Sequence, residues 1–217
     1  MWLRHEGGLD TGIARLAAAP ILLASAGTAS AAIIYFNPEP DIPIPTTYAG
    51  VSVDLETGAT SNALDGLPAG DANFFFGGAE LSNDADLGAA TPSWQPVRSG
   101  NGNTDVVLNL VPGAVVDGTS TYSTGFGGSG DPNSNFPNFT AGTPGYIGFS
   151  LELDGGGTAY CWMEVTLEND GVTPGLIHSW AYDTSGAQVI VGTIPEPGVA
   201  SLALLGLGGI LLRRRRR

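Results

Sequence analysis

Hydrophobic and polar residues alternate along four segments in the C-terminal half of the chain, at positions 146–153, 158–167, 176–182 and 188–193. A period of two places successive side chains on opposite faces of a β-strand. Turn-forming residues separate the four segments, so the pattern predicts a four-strand antiparallel meander. We expect one apolar face of each of the first two strands to form the core: Ile147, Phe149, Leu151 and Leu153, then Ala159, Cys161, Met163, Val165 and Leu167.

The preceding part of the chain also has the pattern of β-strands. A short apolar run covers 32–36, and residues 51–55 alternate regularly. A Val- and Leu-rich stretch at 105–116 is interrupted by Pro-Gly at 112–113, which predicts two short strands around a bend. No window keeps the 3.6-residue spacing of a long helix. We therefore expect an all-β fold, an antiparallel β-sandwich of jelly-roll type, that forms one domain over residues 32–194.

The first 31 residues have the three parts of a secretory signal. Arg4 and Arg15 accompany an apolar run at 16–26, and the small residues at 29–31 form a cleavage site. The apolar run is about a dozen residues long, which is shorter than the ~20 that a membrane-spanning helix needs. The pattern predicts a signal helix over residues 1–31 that is removed after Ala31.

The C-terminal segment, residues 195–217, combines three features in a fixed order. A Pro-Glu-Pro motif precedes an apolar stretch at 198–212, and five arginines end the chain. The apolar stretch would form a helix of about 22 Å, short for a bilayer, and the arginines would stay on the cytoplasmic side. The residues that define the segment are Pro195, Glu196, Pro197, Arg213, Arg214, Arg215, Arg216 and Arg217.

This arrangement resembles the PEP-CTERM sorting signal of exosortase substrates. The resemblance implies recognition and cleavage near the motif by an exosortase-type membrane peptidase, in a Gram-negative bacterium that makes exopolysaccharide. It also implies a transient membrane anchor, then release to the cell surface or the extracellular matrix. A second Pro-Glu-Pro at 38–40 has no apolar helix or basic cluster after it. The alternatives for the C-terminus are an ordinary tail anchor and a polybasic lipid-binding end.

A weaker resemblance concerns the predicted meander. The segments 160–165 and 177–182 look like a β-module that often precedes PEP-CTERM tails, although Cys161 stands where that module would have Gly. The module has no settled activity, so the resemblance implies a fold and no reaction.

Composition narrows the choice of partners. The chain has 217 residues, no Lys and a formal net charge of −13, and residues 32–194 contain 18 acids against the single Arg98. Nucleic acids and anionic lipids are poor partners for such a surface, because phosphate contacts need Lys and Arg. The single Cys161 excludes an intramolecular disulfide framework and a thiolate-rich metal site.

The polar face of the predicted meander is a candidate carbohydrate surface. Aromatic rings beside carboxylates suit a sugar, because the rings stack on its C–H groups while polar atoms bind its hydroxyls. The alternative is that this face is a second core covered by other segments. The candidate residues are Tyr160, Trp162, His178, Trp180 and Tyr182, with Tyr146, Glu152 and Glu164 beside them.

Catalysis has weaker support in the sequence. Glu152, Asp154, Glu164 and Glu168 could supply a glycosidase pair, but the sequence shows no convergence. A Ser-His-Asp hydrolase would depend on His178 alone, because His5 lies in the leader, and no Gly-x-Ser-x-Gly motif is present. We therefore expect no catalytic residues and no enzyme.

Two loops carry oxygen ligands at alternate positions, Asn101, Asn103 and Asp105, and Asp131, Asn133 and Asn135. Neither has the Gly or the bidentate acid of an EF-hand calcium loop. We expect no metal site and no cofactor, with calcium as the alternative. The sequence predicts an exported structural or adhesive protein of the cell surface or exopolysaccharide matrix of a biofilm. A carbohydrate-binding module is the alternative, and an exported glycoside hydrolase ranks third.

Overall fold

The computed structural model describes residues 33–63, 70–83, 93–100, 105–122 and 138–194. In these ranges the secondary structure is β throughout, apart from one 3₁₀ turn at Phe76–Gly78. The twelve strands are β1 (Ile33–Phe36), β2 (Ile42–Ile44), β3 (Val51–Val53), β4 (Thr60–Ser61), β5 (Ala72–Phe75), β6 (Glu80–Asn83), β7 (Trp94–Pro96), β8 (Val115–Val116), β9 (Pro144–Glu152), β10 (Thr158–Thr166), β11 (Gly175–Asp183) and β12 (Val189–Ile190).

The predicted signal peptide and the predicted sorting segment both lie outside the described residues. Within the described ranges, no helix is long and apolar enough to cross a membrane. Most residues of the two candidate calcium loops also lie outside the described ranges. Of the six predicted ligands, only Asp105 is described.

The first sheet contains three of the four predicted meander strands. Its order is β1-β11-β10-β9-β7, and β2 pairs with the other half of the β11 edge. Strands β9, β10 and β11 follow one another in the chain and are antiparallel, as the alternation predicted. The strands predicted at 32–36 and 51–55 are also present, as β1 and β3.

The fourth predicted strand does not join the meander, and this part of the prediction was wrong. Strand β12 pairs with β8 in a separate two-stranded sheet. The edge of β11 is instead occupied by β1 and β2, so no ladder position remains for β12. Val189 and Val191 pack in a cluster with Val116 and Trp162, and burial of these side chains holds the C-terminal strand over the sheet.

The second sheet has the order β4-β3-β5-β6 and packs against one face of the first. Side chains from both sheets meet in the main core, where Val53 and Phe74 join Phe149 and Met163. The two apolar faces predicted for β9 and β10 both lie in or against this core, which confirms that prediction. Cys161 is fully buried there, as expected of a small apolar side chain.

The opposite face of the first sheet carries a second, smaller core. Val97, Val116, Val189 and Val191 cover its centre, and the absence of a side chain at Gly148 leaves room for Val97 and Val116. Only the second of the two strands predicted at 105–116 forms, as β8. Residues 105–110 make only single bridges, from Val107 to Arg98 and from Leu110 to Tyr146.

A β-bulge in β11 decides which side chains face which core. The register pairs Glu164 with Ser179 but Val165 with Ile177, so His178 is the extra residue. An extra residue in one strand shifts every later side chain to the other face. Trp180 and Tyr182 therefore lie on the main-core side, although the uninterrupted alternation predicted them on the face of Trp162.

Candidate functional site

The second face of the first sheet carries an aromatic group around a buried indole. Trp162 contacts Tyr35 at a centroid distance of 6.1 Å and Tyr146 at 5.8 Å, the latter edge-on. Tyr35 belongs to β1, two strands away from β10. Ala181, on β11 between them, is the cross-strand partner of both Tyr35 and Trp162. The small side chain of Ala181 lets the two larger rings meet above it. Trp162 is only 2 % exposed, so the tyrosines, and not the tryptophan, face solvent.

A second ring pair extends this group along the strand. Tyr122 stacks on Tyr160 with centroids 6.1 Å apart. Burial raises the pKa of the Tyr122 phenol strongly, and its hydroxyl donates a hydrogen bond of 2.7 Å to the carbonyl oxygen of Asp117. We call Tyr35, Tyr122, Tyr146 and Tyr160, all half-buried, the tyrosine layer.

Only some of the residues predicted for the carbohydrate face lie on it. Tyr160, Trp162 and His178 lie on the second face, but Trp180 and Tyr182 are buried in the main core. Phe36 stacks on Trp180 at 4.7 Å, and the indole N–H donates to the carbonyl of Leu55 at 3.0 Å. An open platform made by both tryptophans was the wrong expectation, because Trp162 is covered as well. The alternative, that this face is a second core, is confirmed for its centre.

Polar side chains collect on the same face beyond the apolar cover. Tyr146 and Glu164 are cross-strand partners, and the tyrosine hydroxyl donates to Glu164 Oε1 at 3.2 Å. Ser179, the partner of Glu164 on the other side, donates to its Oε2 at 3.4 Å. Burial first, and the Glu164 carboxylate second, raise the pKa of the Tyr146 phenol. The phenol therefore stays protonated and continues to donate to Glu164.

The bulged histidine joins a second group of polar side chains. His178 Nδ1 lies 2.7 Å from Asp41 Oδ2, and His178 Nε2 lies 2.8 Å from Thr166 Oγ1. An ionised carboxylate only accepts hydrogen bonds, so in the neutral ring Nδ1 carries the proton and Nε2 accepts from the threonine hydroxyl. The three residues thus form a carboxylate–imidazole–hydroxyl chain. We call it the Asp-His-Thr trio.

Three separate strands position the trio. Asp41 directly precedes β2, whose first residue, Ile42, pairs with Ile177 next to the histidine. Thr166 ends β10, and the bulge turns His178 toward it. The side chains of His178 and Asp41 are 21 % and 41 % exposed, and Thr166 is 9 % exposed. Sequence reasoning singled out His178 but missed Asp41 and Thr166, because no local motif marks a partner 137 residues away.

Glu152 and Glu164, two of the four carboxylates considered for glycoside hydrolysis, are not brought together. Glu152 is level with Thr158 on β10, six residues from Glu164, which is about 20 Å along a strand. Catalytic carboxyl groups of glycosidases lie about 5–9.5 Å apart. Glu168 follows the end of β10, about 13 Å along the chain from Glu164. Asp154 lies exposed in the turn after β9, where its backbone N–H donates to Glu56 Oε2.

Across the described ranges, no group of three or more His, Cys, Asp or Glu side chains is arranged to hold a metal ion. Comparison of the whole chain with protein-family models, with curated proteins and with solved structures finds no match.

Proposed function

We propose that this chain is an exported protein of the cell surface or the exopolysaccharide matrix, with a structural or adhesive role, sorted by its PEP-CTERM-like C-terminus. The supporting observation is the position of the motif relative to the fold. Among the described residues Val191 is the last that is buried, and 192–194 are exposed. Only these three residues separate the last buried side chain from Pro195 in the sequence.

This spacing constrains how the signal works. Gly192 lies in a turn in which the Thr193 N–H donates to the Ile190 carbonyl. Three residues span at most about 10 Å, so an anchored chain would hold its folded domain close to the membrane surface. Prolines at 195 and 197 keep the segment from continuing a helix, which favours an extended substrate for a membrane peptidase. The partner proposed for this step is an exosortase-type peptidase, and the membrane contact is through the C-terminal helix before cleavage.

The folded body suits a passive role in a matrix. Its two sheets pack on a shared core, which supports a β-sandwich architecture. A jelly-roll order stays a prediction. The acidic surface favours solvation and calcium-mediated contacts over binding of anionic polymers. Calcium stays a proposal.

The test compares intact mass and location in the native host for three versions of the protein. The wild type should lack both the leader and the arginine tail, and should be recovered outside the membrane. Replacement of residues 195–197 by Ala should leave the tail in place and retain the protein in the membrane. The matched control replaces the same tripeptide at 38–40, and it should be processed like the wild type. An uncleaved, membrane-held C-terminus in all three would establish a tail anchor and overturn the proposal.

A second candidate function is carbohydrate binding at the tyrosine layer. The observation that favours it is that four half-buried phenol rings lie on one face and that one of them, Tyr146, donates to the Glu164 carboxylate. Affinity electrophoresis in gels containing the host polysaccharide would test it. Tyr35→Ala should abolish retardation, whereas Tyr48→Ala, at an exposed ring stacked on Phe75, should not. Equal retardation of both variants would exclude this face.

A further inference from the structure

The Asp-His-Thr trio has an arrangement with direct chemical meaning. A hydroxyl within hydrogen-bond reach of an imidazole, whose other nitrogen is held by a carboxylate, is the general pattern of an activated oxygen nucleophile. Here both distances, 2.8 Å and 2.7 Å, fall in the range that proton transfer needs. The carboxylate fixes the ring tautomer, so the nitrogen that faces Thr166 is free to accept its proton.

We propose that Thr166 and His178 form a slow acyl-ester hydrolase site, with Asp41 as the positioning residue. This goes beyond the structural role and does not depend on sorting. It also departs from the expectation, drawn from the sequence, that the chain has no catalytic residues.

The reaction balances with water as the only co-reactant. Thr166 Oγ1 attacks the ester carbonyl carbon while His178 Nε2 takes the hydroxyl proton. The bond from carbon to the alcohol oxygen then breaks, and the imidazolium returns the proton to the departing alcohol. Water, deprotonated by the same Nε2, then attacks the acyl carbon, the bond from that carbon to Thr166 Oγ1 breaks, the imidazolium returns the proton to Oγ1, and the carboxylic acid leaves. One ester and one water give one acid and one alcohol, and the threonine hydroxyl is restored.

Burial and charge indicate the class of ester. Thr166 is only 9 % exposed, so access to Oγ1 suits a small acyl group such as acetyl. The chain carries a net charge of −13, and Asp41 and Glu164 lie on the same face, so an anionic substrate would be repelled. A neutral, short-chain ester, such as an O-acetylated hydroxyl compound, fits both conditions.

The sheet around Thr166 also predicts the rate. Strand β10 is paired on both sides, by β9 and β11, so its backbone N–H groups are engaged in the two ladders. A dedicated donor to the oxyanion contributes about 10²–10³ in rate, and N–H groups that are bonded within the ladders are not available for that role. We therefore expect slow turnover, with the acyl-threonine accumulating long enough to be detected.

The experiment uses the full chain in detergent with p-nitrophenyl acetate as the probe. The wild type should release p-nitrophenol and acquire one acetyl group, which peptide mapping should place on Thr166. His178→Ala and Thr166→Val should each lower the rate at least about a hundredfold, and Thr166→Ser should retain it. The matched control is Thr173→Val, which removes a hydroxyl bonded to Asp170 without a histidine and should have no effect.

Asp41 is tested by a readout that loss of structure would not imitate. Asp41→Asn should lower kcat with KM unchanged, and Asp41→Glu should recover part of the rate. If Thr166→Val does not fold, as judged by circular dichroism, the position of the acetyl group in the wild type tests whether Thr166 is the nucleophile. Acetyl found only on other residues, or equal rates for wild type and His178→Ala, would overturn the hydrolase. Cleavage at the sorting motif is unaffected by either result, so the two proposals fail separately.

Discussion

Trp180 lies opposite Met163, and not opposite Trp162, in the ladder between β10 and β11. The two tryptophans therefore anchor different faces of one sheet, Trp180 in the main core and Trp162 under the tyrosine layer. The bulge at His178 produces this division, and it also places the histidine beside Thr166. One extra residue in one strand thus determines both the distribution of aromatic rings and the candidate site.

The burial of both tryptophans gives a first prediction. In a Trp2→Phe background, which removes the leader tryptophan, acrylamide should quench the folded protein far less than the urea-unfolded protein. Trp94, Trp162 and Trp180 are each at most 2 % exposed, so the quencher cannot reach the rings without local opening. Efficient quenching in the native state would show that at least one of the three rings is open to solvent and would contradict the burial described.

Gly148 is a second point at which packing can be tested. A Cβ there would lie 2.6 Å from Leu110 Cδ1 and 2.7 Å from Val116 Cγ2. We expect Gly148→Ala to lower the free energy of unfolding by about 1–3 kcal/mol, because the cover over β9 must move. Gly155→Ala, in open space at the turn after β9, is the matched control and should change stability little. Urea titration followed by tryptophan fluorescence measures both, and equal midpoints would contradict the packing described.

Glu80 predicts a pH dependence of stability. Its side chain is buried in β6, and burial raises the pKa of this carboxyl above its ordinary value of 4.5. Between the unfolded and the folded pKa the native state binds more protons, so ionisation of Glu80 destabilises the fold as the pH rises through that interval. Glu80→Gln should therefore have a higher Tm than the wild type at pH 7.

The difference should disappear below about pH 4.5, where the carboxyl is protonated in both states. Glu39→Gln, at an exposed position, serves as the control and should leave the Tm unchanged at both pH values. A Glu80→Gln variant that is less stable than wild type at pH 7 would show that the carboxylate makes a favourable contact.

Cys161 gives a direct measure of core protection. The thiol is fully buried, and burial raises its pKa well above the ordinary value, so it has little thiolate character and no access to solvent. Iodoacetamide should leave the native protein unmodified and should label one thiol per chain after unfolding in urea. Labelling of the folded protein at the rate of a free thiol would mean that β10 opens locally.

Much of the sheet could be predicted from alternation alone. The three long strands and their apolar faces followed from the period of two, because each strand buries one face continuously. The signal peptide and the sorting segment stay predictions from residue order, because both lie outside the described residues. The predicted face of Trp180 was wrong because the bulge at His178 inserts one residue before it. The predicted pairing of β12 was wrong because β1 and β2 occupy the edge of β11.

Composition and alternation were enough to specify an acidic, all-β chain with one apolar face on each of its central strands. Both are local properties of the sequence and do not depend on residues far away in the chain. The meeting of Asp41, Thr166 and His178 and the cover over Trp162 follow from the tertiary structure. Those contacts join residues up to 137 positions apart, and they form because cross-strand register and edge pairing are set by the cooperative packing of two cores.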